Sequence, residues 1–275
     1  MAKRWVVLFS IGILIISACG GHKIKGNPSA RERFKIARNM FEDEDYLDAK
    51  TQFRIITLSY QGSTLMDSAQ YYLGECHFHL KEYILAAAEY QKLVKMFPHS
   101  QLIDDAQYKA AVCEYQLSPK YSLDQENTQK AIRGFQQFLE EYPTSEYREV
   151  ATKRLDELRT KLARKEYEAG IIYYKMSYFD AAIVYFQSVI DKYYDTKYSP
   201  GAIFWKGQSL FKLNRLDEAT ELFEYFISKY DQHKLTSKAR TMLREIARKK
   251  LDMLSNSQKV EPENVSSDSS KGVRE

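Results

Sequence analysis

Residues 71–90 read YYLGECHFHLKEYILAAAEY, and residues 167–186 read YEAGIIYYKMSYFDAAIVYF. Aligned on Gly74 and Gly170, each has an aromatic three positions before and four after, an alanine twelve after, and another aromatic four beyond that alanine. The pattern returns at Phe34, Ala37, Phe41, Ala49, Phe53 and at Phe204, Gly207, Phe211, Ala219, Phe223. A fifth copy, Tyr108, Ala111, Tyr115, Ala131, Phe135, keeps the order but stretches the small-to-alanine distance to 20. Small residues 37, 74 and 111, and again 170 and 207, lie 37 apart.

Offsets of three and seven fall on one face of a helix of 3.6 residues per turn, so the first half of each copy is a helix with its aromatic, small and aromatic residues aligned. The alanine and the aromatic four beyond it mark the facing stripe of a second helix. Small residues at the centre let the two backbones approach, and the aromatics interlock around them. Such a hairpin cannot bury its own face, and stacking on its neighbours completes the core. Pro98 and Pro143 each fall twelve after a repeat alanine. A residue with fixed φ and no N–H there ends the second helix. The period and the order of small, aromatic, alanine and proline positions resemble the tetratricopeptide repeat over residues 30–235. The fold expected is an all-α solenoid of five helical hairpins.

Two departures interrupt the register. The third copy carries eight extra residues within LSPKYSLDQENT, a loop expected to cap the following helix through Asn127 or Thr128. Between copies three and four, SEYREVATKRLDELRTKLARKEYEAG adds fourteen more and has no proline or internal glycine. It predicts one long helix over 146–175 linking repeats one to three with repeats four and five.

The chain begins with Lys3 and Arg4, an apolar run from Trp5 to Ile16, then Ser17, Ala18 and Cys19. This is the order of a secretory signal peptide, and the run is too short for a permanent bilayer span. IISACG resembles a bacterial lipobox, which implies cleavage before Cys19 and acylation of that cysteine. Gly20 in place of aspartate, and the basic GGHKIKGNPS that follows, imply retention at an outer membrane facing the periplasm.

The expected organisation is a signal peptide at 1–18, a lipidated cysteine and tether at 19–29, repeats one to three at 30–145, the linking helix, repeats four and five and a capping helix at 146–254, and a disordered tail at 255–275. The tail is rich in Ser, Asn, Lys and Glu and too poor in apolar residues to offset its ordering entropy.

Formal charge is +4, half of it from the leader's Lys3 and Arg4, so nothing favours nucleic acid as a partner. Cys76 and Cys113 sit at equivalent repeat positions, too far apart for a disulfide, and are expected as buried thiols. CHFH groups Cys76, His77 and His79 without the further ligands a metal needs, and partly exposed histidines are expected. No phosphate loop, nucleophile elbow or zinc-helix motif is present, so no enzyme activity or cofactor is expected.

A lipobox, five such hairpins, a loop in the third and LARKEYEAGIIYYKMSYFDAAIVYFQSVIDKYYDT after a long helix resemble the BamD family, lipoproteins of the β-barrel assembly machine. Tyr194 departs from the family's usual proline. The resemblance implies a scaffold that docks a BamA-like outer-membrane protein, joins other lipoproteins of the machine, and helps receive unfolded outer-membrane proteins. It places the BamA-like partner on repeats four and five with a closing helix over 237–251, and substrate on repeats one to three. Lys238, Arg240, Arg244, Arg248, Lys249 and Lys250 on the closing helix are the candidate partner contacts. The rival reading is a periplasmic repeat lipoprotein of cell-envelope division or polysaccharide export.

Overall fold

A computed structural model describes residues 26–260, with side chains to residue 256. Within them the chain is eleven helices: α1 (Ala30–Glu42), α2 (Tyr46–Ser59), α3 (Met66–His79), α4 (Tyr83–Met96), α5 (Ile103–Leu117), α6 (Glu126–Glu141), α7 (Arg148–Lys175), α8 (Phe179–Lys192), α9 (Ser199–Lys212), α10 (Leu216–Lys229) and α11 (Thr236–Val260). The chain divides into two compact units. The first holds residues up to Pro119 together with Gln125–Leu155, and the second holds Lys120–Asp124 together with the chain from Asp156.

The repeat pattern is the core. Ala49, Ala86, Ala131, Ala182 and Ala219 are fully buried, and so are Phe53, Tyr90, Phe135, Phe186 and Phe223, the aromatics four residues after them. In every hairpin the leading aromatic meets that ring: Phe34–Phe53 at 5.6 Å between centroids, Tyr71–Tyr90 at 5.7, Tyr108–Phe135 at 6.2, Tyr167–Phe186 at 5.9 and Phe204–Phe223 at 5.7. Each pair contributes about 0.5–1.5 kcal/mol beyond its buried area. The small residue lies between them. A Cβ on Gly74 would come 2.7 Å from Tyr90, one on Gly170 2.6 Å from Phe186, and one on Gly207 2.8 Å from Phe223. Glycine here makes room for a ring from the partner helix.

The backbone repeats as faithfully as the side chains. Glu44 and Lys81 turn the first two hairpins with positive φ, and Ser177 and Asn214 turn the fourth and fifth, each pair 37 residues apart. These non-glycine residues accept the left-handed conformation because it closes the tight link between helices. Asp43, Glu44 and Asp45 are exposed in the first such turn, and the Asp45 side chain caps α2. The chain enters α1 through a capping box, in which Ser29 accepts from the Glu32 N–H and Glu32 accepts from the Ser29 N–H. Pro98 and Pro143 follow the C-caps Phe97 and Tyr142 of α4 and α6.

Several boundaries differ from the sequence expectation. The long helix starts at Arg148 rather than 146, after a turn closed by the Arg148 N–H on the Ser145 carbonyl. Gln125, not Asn127 or Thr128, is the N-cap of α6. Asn127 instead reaches the Leu117 carbonyl at 3.4 Å, and Thr128 bonds Ser118 at 2.6 Å and Gln125 at 2.8 Å, tying the ends of the insertion together. The closing helix runs to Val260, well past 251 and into the segment expected as tail. Residues 261–275, the signal peptide and Cys19 lie outside the described residues.

Candidate partner-binding surfaces

In the second unit, α11 lays Ala239, Met242 and Ile246 on Phe223 and Phe226 of α10 and Ile203 and Phe204 of α9, a single apolar cluster. Its spacing of three and four residues gives one buried stripe and leaves the opposite side polar. Arg240, Arg244 and Arg248, four residues apart, form an exposed line on that side, and Lys238 is exposed as well. Arg244 donates to Thr241 Oγ1 at 3.1 Å, within its own helix. Lys249 and Lys250 do other work. The Lys249 ammonium lies 5.1 Å from the Phe211 ring, and Lys250 reaches Asp217 Oδ1 at 2.7 Å and Thr220 Oγ1 at 3.5 Å. Those two lysines fasten α11 to α9 and α10. The six sequence candidates thus split into an outward set of four and an anchoring pair.

The first unit presents a cleft of about 590 Å³ between α4 and α6, floored by Ala110 and Ala111 of α5. Gln91, Lys95, Lys130 and Arg133 line its walls. It continues past Gln91 and Glu114 to Ile84 and Ala87, where the Ile84 side chain is 71% exposed. Burial raises the Glu114 carboxyl above its ordinary value, and the charge of Lys130 opposes that shift. An apolar floor between walls that carry donors and charges suits an extended peptide, with side chains seated below and backbone bonded at the rim.

Behind this cleft lies a buried polar network that the sequence did not disclose. Glu75, 8% exposed, accepts from Tyr90 Oη at 2.5 Å and from Lys109 Nζ at 2.9 Å, linking α3, α4 and α5. His77 is buried rather than partly exposed. Its Nδ1 lies 2.5 Å from Glu82 and its Nε2 3.1 Å from Arg54 Nη2. A guanidinium only donates, so the ring accepts at Nε2 and its Nδ1–H donates to Glu82 Oε2. Hydrogen bonds from Lys50 and His77 hold the Glu82 carboxyl below the usual range. His79, by contrast, is exposed and stacks on Tyr46 at 4.4 Å. Among the described residues no group of three or more His, Cys, Asp or Glu is placed to hold a metal ion. Cys76 and Cys113 are free and buried, and burial pushes both thiols up to about 12.

Residues 27–215 match the model of the YfiO family, described as outer membrane lipoprotein, over more than half of the chain. The chain belongs to this family. A tetratricopeptide-repeat model also matches, over residues 202–233. The outer membrane protein assembly factor BamD of Caulobacter vibrioides is 33% identical over 81 residues, 30% of this chain and 27% of that protein. The chain thus matches about a quarter of the length of that curated relative. Among solved structures, the TPR2AB-domain:pHSP90 complex of yeast Sti1 has a TM-score of 0.40 at 14% identity, with 80% of this chain and 86% of that chain covered. A tetratricopeptide-repeat protein of Thermus thermophilus has a TM-score of 0.33 at 15% identity, covering 80% and 99%.

The YfiO match includes the whole of the first unit's repeats and the cleft on α4–α6, but it ends before α11. The outward arginines of α11 are therefore a feature of this chain read from its own geometry. Among the described residues of this YfiO-family chain, no helix is long and apolar enough to cross a membrane.

Proposed function

We propose that this YfiO-family lipoprotein is a scaffold of outer-membrane β-barrel assembly. Its anchor is an acylated Cys19, and its helical hairpins face the periplasm. The observation that carries the reading is the family match over residues 27–215, and the assembly-factor name of the Caulobacter relative supports it. In this reading the protein works by binding rather than catalysis. The exposed line of Arg240, Arg244 and Arg248 docks an acidic surface of a BamA-like outer-membrane protein, in company with other lipoproteins of the machine. The cleft between α4 and α6 receives an extended segment of an unfolded outer-membrane protein. Aromatic rings and alanines give these hairpins a stiff frame, and preorganised surfaces lose less entropy on binding.

The test is affinity purification of the full chain from detergent-solubilised membranes, followed by mass spectrometry. Recovery of a BamA-like β-barrel protein in near-stoichiometric amount is the expected result. A clean preparation in which only division or polysaccharide-export proteins accompany the chain would overturn the assignment.

A further inference from the structure

The loop inserted in the third repeat does more than lengthen a turn. Its residues Lys120–Asp124 belong to the second unit, where Lys165 Nζ holds the Leu123 carbonyl at 2.7 Å and the Arg164 guanidinium lies 4.0 Å from the Tyr121 ring centroid. Pinned in this way, the loop walls an open cleft of about 590 Å³ against α7 and the turn before α9. Lys120, Lys161, Arg164 and Lys197 line it, against a single acid, Glu157. Ser122 and Thr160 add hydroxyl donors from the loop and from α7. Glu168 pairs with Arg164, 3.9 Å from its Nε, with both side chains partly exposed. Burial lowers the Lys161 ammonium below its ordinary range, and the charge of Glu157 opposes that shift.

We infer that this cleft of loop, α7 and α9 turn binds a phosphate group, either on a lipid headgroup or on a free phosphate compound. Four lining cations, against Glu157 in the cleft and Glu168 beside Arg164, leave the concavity net positive, which draws in an anion. Lysines act as point charges and hydroxyls as neutral donors, and a phosphate, with several acceptor oxygens, can use both together. The single guanidinium stacks on Tyr121, which orients its N–H edge and lowers the entropy lost on binding. The cleft is wider than one ion needs, so the phosphate is part of a larger molecule. This site shares no lining residue with the cleft on α4–α6 and includes none of the α11 arginines, and it does not depend on the assembly reading.

The test is isothermal titration calorimetry of the full chain in a neutral maltoside detergent. Inorganic phosphate is titrated in one arm, and in the other dioctanoyl phosphatidylglycerol mixed into the micelles, with dioctanoylglycerol as the phosphate-free control. Saturable binding of inorganic phosphate identifies a free phosphate compound as the source, and binding of phosphatidylglycerol alone identifies the headgroup. In either case Lys161→Gln should weaken binding about tenfold or more, the worth of one charge-assisted hydrogen bond. Lys197→Gln, at an exposed position where folding is not at stake, should weaken it in the same direction. Binding in neither arm overturns the inference, as does binding untouched by both substitutions. A cleft that takes a hexaglutamate peptide and neither phosphate probe would be a protein-docking site instead, which also overturns it.

Discussion

Replacing Gly170 by alanine tests the packing rule on which the five hairpins rest. Its Cβ would sit 2.6, 2.8 and 3.0 Å from three atoms of the Phe186 ring, which is itself 0% exposed. The ring is held by Tyr167 at 5.9 Å and by the surrounding cluster of Val189 and Ala202, so it cannot swing clear without moving its neighbours. Two effects oppose each other. Alanine stabilises a helix interior by about 0.8–1 kcal/mol over glycine, whereas forcing a methyl into a filled core costs about 1–3 kcal/mol. The expected net is a loss of up to about 2 kcal/mol. The decisive comparison is a double-mutant cycle with Phe186→Leu, which removes the ring atoms the methyl would meet. In that background Gly170→Ala should become stabilising by about 1 kcal/mol, giving a coupling of about 1–3 kcal/mol. Denaturant unfolding followed by fluorescence reads this locally. In a chain prepared without residues 1–18 Trp205 is the one tryptophan, and it packs in the same cluster. Equal effects of Gly170→Ala in both backgrounds would refute the claim that glycine is there to admit the ring.

Other expectations follow from the same geometry. Cys76 and Cys113 should resist a thiol-specific disulfide reagent at pH 8 in the native chain and react in denaturant, since burial holds both thiols up at about 12; rapid native labelling would show that the hairpins open. Reversing charge at Arg244 and Arg248, both exposed, should weaken capture of the proposed BamA-like partner at least tenfold and leave the thermal transition within a degree or two, as measured by pull-down and circular dichroism. The hydrogen bond from Arg159 at 2.9 Å depresses the Asp195 carboxyl. A depressed acid stabilises the fold above its unfolded pKa and loses that contribution as pH falls through the folded one. Asp195→Asn should therefore lower stability at pH 7 by less than about 1 kcal/mol, because the pair is solvent-screened. The difference from wild type should vanish toward acid, and a gap that persists at low pH would contradict the bond.

The hairpins were legible because helix packing writes itself at short range: an alanine and an aromatic four residues later define a stripe, and all five such aromatics are fully buried. The Glu75 and His77 networks were not, because their partners come from separate helices, and no local spacing announces that Lys109 or Arg54 will arrive there. One signal was present: Glu75 follows the small residue Gly74 directly, a place where a charge is buried and needs a partner from the next hairpin. The left-handed turns at Glu44, Lys81 and Ser177 were masked by residues that do not usually take that conformation, whereas Asn214 takes it more readily. The closing helix outran its expected end because composition measures burial, whereas a helix already nucleated on α10 continues through Ser255 and Asn256 with no proline or glycine to stop it. Of the partner residues, the sequence could place the basic run on one helix but could not separate Lys249 and Lys250, whose contacts with Phe211 and Asp217 require the fold.

The most direct test of the scaffold account is site-specific photo-crosslinking in living cells, with a benzophenone amino acid placed at Arg240, Arg244 or Arg248 and, for comparison, at exposed Lys35 and Glu42 on α1. The account expects an adduct with a BamA-like outer-membrane protein from the α11 positions and none from α1. Adducts with that protein from α1 alone, or no such adduct from any position while the protein stays membrane-bound, would contradict it.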